Sequence, residues 1–169
     1  MADGPASTLP PILEFMQSLW AVVHRMERLS KRMGARTGVT GPQRLVVRLI
    51  HLYPGIGAGE LAATLHLHPS TLTGLLKRLE TQGLLSRHVD PADGRRIVLR
   101  VTRRGATVAT GRAGTVEGAV AAVTESAPTG QTAHVQAFLG ALAVRLDHEM
   151  GRGAPRHRAR ARRSRADRP

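Results

Sequence analysis

The sequence contains no cysteine, which excludes disulfides, thiolate metal ligands and a thiol redox switch. Aromatic residues are almost missing too: one Trp, one Tyr and two Phe make up 2% of the 169 residues, although 41% are apolar. A core must then be built from Leu, Val, Ile, Met and Ala, which suits packed helices better than a β-sandwich. No apolar run approaches the roughly 18 residues of a membrane span, and the N-terminus, MADGPASTLPP, lacks the basic and apolar regions of a secretory signal. These absences point to a cytoplasmic protein with no membrane partner. Enzyme signatures are absent as well: there is no glycine-rich phosphate loop after a strand, no nucleophile elbow and no carboxylate pair tied to a cleft. No catalytic residue and no cofactor are expected.

Positive charge is what the chain has in excess. Lys and Arg number 25 against 12 acidic residues, a net charge of +13 and a pI near 11.8. A basic face gains free energy by displacing counterions from phosphates, so nucleic acid is the leading partner class and an anionic membrane the second. Only two of the 25 are Lys, a ratio that GC-rich codons would produce without any function. Codon usage does not explain the clustering, however: residues 151–169 hold eight Arg and one Asp, leaving +6 on residues 1–150. The length allows one domain of ordinary size.

Periodicity divides that domain. Apolar residues at Ile12, Phe15, Met16, Leu19, Val23, Met26 and Leu29 predict a long helix to about Met33, opened by Pro10 and Pro11. PQRLVVRLIHLY predicts a second helix with Leu45, Val46, Leu49 and Leu52 on one side, ended by Pro54-Gly55. A short helix around 58–65, a tight link at His66 to His68, and a helix entered through Pro69 follow. Leu72, Leu75, Leu76 and Leu79 face the core in the last of these, leaving Ser70, Thr71, Thr73, Gly74, Lys77 and Arg78 outside. LLSRHVD and RRIVLRVT flank PADG as a β-hairpin, with Ile97, Leu99 and Val101 alternating against Arg96, Val98 and Arg100. Thr102 is set to cap a helix in which Ala106, Ala109, Ala113, Val116, Val120 and Val123 form a heptad seam. Glycines 105, 111, 114 and 118 oppose that helix by about 1 kcal/mol each. A last helix, from about Pro128 to Met150, carries Val135, Phe138, Leu139, Leu142 and Leu146. Residues 1–8 and the Arg-rich segment 151–169 have no apolar pattern and are expected to be disordered alone.

This order is mainly α with a small β-hairpin wing, a winged helix-turn-helix. An α-helix fits the major groove of B-DNA, where small and polar outward residues reach base edges and phosphates. An arginine at the hairpin tip reaches the adjacent minor groove. The stretch GELAATLHLHPSTLTGLLKRLETQGLLSRHVDPADGRRIVLRVTRRG resembles the MarR family of bacterial transcription regulators, whose pattern runs E-L-A, S-T-V-T, R-L-E-x-x-G-L, D-x-x-D-x-R and L-T-x-x-G. The resemblance covers residues 9–150. It implies a DNA-binding lobe at about 40–102 and a dimerisation platform of helices at about 9–33 and 103–150. It also implies a homodimer on a pseudo-palindromic double-stranded operator, and a small aromatic carboxylate or phenolic effector held between platform and lobe. Two departures stand out: His68 replaces the usual Ser-type cap before the recognition helix, and Val101-Thr102 stands for the family's L-T.

The expected DNA contacts are therefore Ser70, Thr71, Thr73, Gly74, Lys77, Arg78, Arg95 and Arg96. Asp93 either orients Arg95 across the tip or simply favours the turn. Paired charges such as Lys77 and Arg78 also occur on ordinary solvated faces. Trp20, His24, His51 and Tyr53 are the expected effector-pocket residues, with core packing or plain exposure as the alternative for each. Eight His raise a metal site, but His66 and His68 do not share a helix face and no H-E-x-x-H spacing occurs. Repression is the simpler mode, since occupying a promoter suffices. The rival reading is a non-specific architectural nucleic-acid-binding protein that uses the Arg-rich segment.

Overall fold

The computed structural model describes residues 9–152; segments 1–8 and 153–169, where the flexible N-terminus and most of the Arg-rich tail are expected, lie outside the described residues. In chain order the elements are α1 (Pro11–Thr37), α2 (Gly41–Leu52), α3 (Ala58–Thr64), α4 (Pro69–Thr81), β1 (Leu85–Val89), β2 (Ile97–Val101), α5 (Arg103–Thr110), α6 (Val116–Ser126) and α7 (Gln131–Arg152). Two compact units divide within α6, one ending at Ala121 and the other beginning at Ala122.

The first unit holds the core. Val46, Val47 and Ile50 of α2, Leu61 of α3, Leu72, Leu76 and Leu79 of α4, and Leu84, Leu85 and Leu99 around the hairpin are buried together. Burying each such side chain contributes about 1.5–3 kcal/mol. The phase of α2 differs from the sequence expectation. Val47 and Ile50 are buried whereas Leu45 and Leu52 are exposed, because the lobe packs on the Gln43-Val46-Val47-Ile50 stripe. Strands β1 and β2 pair antiparallel, Leu85 opposite Val101 and Val89 opposite Ile97. Strict alternation fails in β2: Ile97 near the tip is exposed and Val98 is buried. The Ile56-Gly57 segment pairs along β2, with Leu99 N donating to Ile56 O at 3.0 Å and a bridge from Gly57 to Val98, so the edge of β2 away from β1 is paired as well.

The continuous seam helix after Thr102 is also corrected. Thr102 does cap α5, its hydroxyl accepting from Gly105 N at 3.1 Å and donating to Gly83 O at 2.7 Å. A Cβ at Gly105 would meet Leu84 O at 2.0 Å, so the helix starts against the chain that leaves α4. But α5 stops at Thr110 and α6 restarts at Val116, with Gly114 between them at φ +68°. The glycines that oppose helix here win over the heptad spacing. In the second unit, α7 runs to Arg152, two residues into the segment expected as tail.

Candidate nucleic-acid interface and neighbouring cavities

Helix α4 is positioned from both ends. Pro69 takes the first turn, where its missing N–H costs nothing, and His68 provides the cap: its Nδ1 accepts from Ser70 N at 3.3 Å and lies 2.7 Å from Ser70 Oγ. The imidazole does the work of the expected serine. The link before it holds His66 at φ +50°, a left-handed conformation that His adopts more readily than most side chains. At the far end, α4 is tied to β1 by Arg87 Nε on Glu80 Oε2 at 3.1 Å. With Leu72, Leu76 and Leu79 buried beneath, Ser70, Thr71, Thr73, Gly74, Lys77 and Arg78 are all exposed on the outer face. Thr73 Oγ1 donates to Pro69 O at 2.8 Å. A Cβ at Gly74 would meet nothing within 4 Å, so no packing within the fold requires glycine at this helical position.

The hairpin tip is fixed by backbone turns. Asp93 Oδ1 accepts from Arg95 N at 3.0 Å, and Asp93 O accepts from Arg96 N at 2.9 Å. Asp93 thus holds the backbone of Arg95 rather than its guanidinium, and Arg95 is exposed. Arg96 has a different environment. Its Nη2 lies 2.9 Å from Glu60 Oε2 and its Nη1 3.5 Å from Asp90 Oδ2, tying the wing to the start of α3. The Glu60 carboxyl is held below its ordinary pKa of 4.5, first by the hydrogen bond from Gly57 N and then by the Arg96 charge.

Arg44 is a site that periodicity does not reveal. It is 4% exposed in the first turn of α2. Its Nε donates to Glu117 Oε2 at 3.0 Å, its Nη2 to Ala109 O at 3.2 Å, and its guanidinium also to Val108 O and Gly111 O. Arg48 adds a bond to Ala109 O at 3.0 Å. The last carbonyls of α5 have no helical partner, and two arginines supply the donors. Two Arg four apart in an otherwise apolar helix were the available signal.

Two cavities flank the Arg44–Glu117 pair. One, about 400 Å³, is walled by Val23, Met26, Leu45, Leu65, Leu67 and Val116, with Glu27 and Glu117 as its charged lining. The other, about 370 Å³, has Arg36, Arg44 and Arg112 in its wall beside Met33, Thr107 and Val108. None of the expected pocket residues lines either. Trp20 is 63% and Tyr53 59% exposed, and His24 is exposed while His51 is half-buried. On α1 the cavity takes the Val23-Met26-Glu27-Ser30 face; helical phase turns His24 away from it, whereas Trp20 shares the side of Val23 and Glu27 but lies about one turn N-terminal to the wall. On α2 it takes the N-terminal end, two turns from His51. Among the described residues, no group of three or more His, Asp or Glu is placed to hold a metal ion, and no helix is long and apolar enough to cross a membrane.

Residues 39–97 match the model of the MarR family. Over 88 residues the chain is 33% identical to the HTH-type transcriptional regulator TtmR of Methylorubrum extorquens, covering 52% of this chain and 45% of that protein. It is 31% identical over 88 residues to the organic hydroperoxide resistance transcriptional regulator of Bacillus subtilis, covering 52% and 60%. The chain thus spans about half the length of the curated relatives it matches. Its fold matches that of the S. aureus MepR–DNA complex with a TM-score of 0.62 at 19% identity, over 78% of this chain and 97% of that one.

Proposed function

We propose that the chain, whose residues 39–97 match the model of the MarR family, is a member of that family and a homodimeric transcriptional repressor of a pseudo-palindromic double-stranded DNA operator, released by a small effector. The observation that carries the reading is the joint exposure of the outer face of α4 and the tip arginine, on a lobe whose core and ion pairs leave these residues to solvent. Small side chains at Ser70, Thr71, Thr73 and Gly74 permit close approach to a groove, and Lys77 and Arg78 supply phosphate or base contacts. Arg95 enters the minor groove. Arg96 contributes mainly by holding the wing through Glu60 and Asp90. The Arg-rich segment 151–169 adds sequence-independent affinity through counterion release.

Dimerisation follows from the apolar residues that α1 leaves exposed, among them Ile12, Phe15 and Trp20. A small aromatic carboxylate effector has its counter-charges in the cavity beside Arg36 and Arg112, with Met33 and Val108 as apolar floor. A thiol-based response has no residue to use in a chain without cysteine.

Selection of genomic fragments by the purified protein, followed by footprinting, tests the proposal. A regulator protects a short pseudo-palindrome. An architectural protein coats DNA at large, and that pattern would overturn the reading.

A further inference from the structure

The first turn of α4 carries two hydroxyls whose protons are already committed. Ser70 N donates to His68 Nδ1 at 3.3 Å. A backbone N–H has no lone pair to offer, so the ring nitrogen that it faces must supply one, and the proton of the neutral imidazole sits on Nε2. Ser70 Oγ lies 2.7 Å from the same Nδ1; since that nitrogen only accepts, the hydroxyl is the donor. Thr73 Oγ1 likewise donates to Pro69 O at 2.8 Å. Both side chains are exposed and, at i and i+3, share one face of the helix. Both have only lone pairs left to offer a partner.

On the reading of α4 as the DNA-contacting helix, on which this step rests, we infer that His68 sets base specificity: by holding the Ser70 proton it makes Ser70 Oγ an acceptor for the exocyclic amino group of an adenine or cytosine in the major groove. A phosphate oxygen is itself an acceptor and cannot pair with a hydroxyl whose proton is bound elsewhere. Guanine N7 and O6 and thymine O4 are acceptors too. Adenine N6 and cytosine N4 are the donors that the groove presents. A free serine hydroxyl suits either kind of edge, and one polarised by His68 suits only the donors. Capping alone does not call for an imidazole; the short bond to Ser70 Oγ is what the ring adds. His68 is thus a positioning residue that acts on the base through Ser70. The Thr73 proton, held by a main-chain carbonyl, is independent of it.

Selection from random duplexes by the full chain at pH 8 supplies the operator, and the same selection with Ser70→Ala marks the base pair that Ser70 reads as the one where preference is lost. That pair is then replaced by its amino-free analogue, purine opposite thymine or 2-pyrimidinone opposite guanine, and both duplexes are titrated by fluorescence anisotropy. Relative to Ser70→Ala, which controls for the weaker base pair, the wild type should bind the analogue duplex about 3- to 10-fold more weakly, the range that one net hydrogen bond gives. His68→Gly keeps a tolerated cap without a side-chain acceptor. It should shrink that penalty to less than about 2-fold, because the freed Ser70 proton can turn to N7, O4 or O6. His68→Asn, whose amide oxygen again accepts, should restore it. The proposal is overturned if Ser70→Ala leaves every base preference intact, if the wild type and Ser70→Ala respond to the analogue alike, or if His68→Gly keeps the full penalty. A wild type that selects no sequence overturns the DNA-reading role of α4 itself, and the role of His68 with it.

Discussion

Arg96 Nη2 lies 2.9 Å from Glu60 Oε2, and the same carboxylate oxygen accepts from Gly57 N at 2.9 Å. One side chain therefore caps α3 and anchors the wing. The partners are largely exposed, so the pair adds little to global stability; its effect is on where the wing stands.

Hydrogen exchange at the wing amides checks the first prediction. Arg96→Ala should speed exchange at Asp90 and Arg95–Ile97, and Arg95→Ala should not. The pH dependence has a definite sign. Glu60 titrates below 4.5 in the folded state, so the anchor is present above about pH 4.5 and is lost as pH falls through the folded-state value. Wing exchange, corrected for its intrinsic pH dependence, should rise in that acid window in the wild type, and Glu60→Gln should flatten the rise.

Arg44 gives the second prediction. Arg44→Met strands the Glu117 carboxylate and unpairs the carbonyls at the end of α5, so it should cost about 3 kcal/mol, at the low end of the range for breaking a buried pair because Glu117 is partly exposed. Adding Glu117→Leu should recover part of that loss by removing the stranded charge. Urea unfolding of the three proteins measures both steps; a loss under about 1 kcal/mol would remove Arg44 from the role of helix cap.

The link and cap before α4 give the third. His68→Ala should cost about 1 kcal/mol and His68→Ser little, as expected if the imidazole Nδ1 replaces a hydroxyl at the cap. His66→Gly should be neutral or stabilising by up to about 1 kcal/mol, since glycine adopts positive φ without strain. Thermal melts distinguish these outcomes.

The exposed apolar face of α1 gives the fourth. Light scattering at micromolar concentration should return twice the chain mass of 18.1 kDa. Trp20→Glu should shift the protein toward monomer. A well-folded wild-type monomer would contradict the dimer.

Helix α4 is legible because Leu72, Leu76 and Leu79 repeat at helical spacing between two clear punctuation marks, Pro69 and Gly83. Boundaries of this kind are local. The phase of α2 was not legible, since in PQRLVVRLI nearly every position is apolar or arginine and periodicity cannot say which stripe the lobe will take. The break at Gly111–Thr115 lay between two local signals, heptad spacing and glycine content, and the carbonyl caps from Arg44 and Arg48 that make it tolerable come from 60 or more residues away in sequence. The cavities were missed for the same reason. Their walls bring together residues as distant as Val23 and Glu117, a proximity that no spacing rule encodes.

Arg78 and Arg95 carry the central claim, and one titration tests it most directly: wild type, Arg78→Ala and Arg95→Ala against a selected operator duplex and its scrambled counterpart, at one fixed salt concentration. Arg95→Ala should weaken binding to both duplexes by about 1–3 kcal/mol, as loss of a minor-groove and backbone contact does, while Arg78→Ala should narrow the gap between them. Neither substitution should change stability by more than about 0.5 kcal/mol, because both side chains are exposed. If both variants bind both duplexes as the wild type does, neither the outer face of α4 nor the hairpin tip meets DNA, and the account is contradicted.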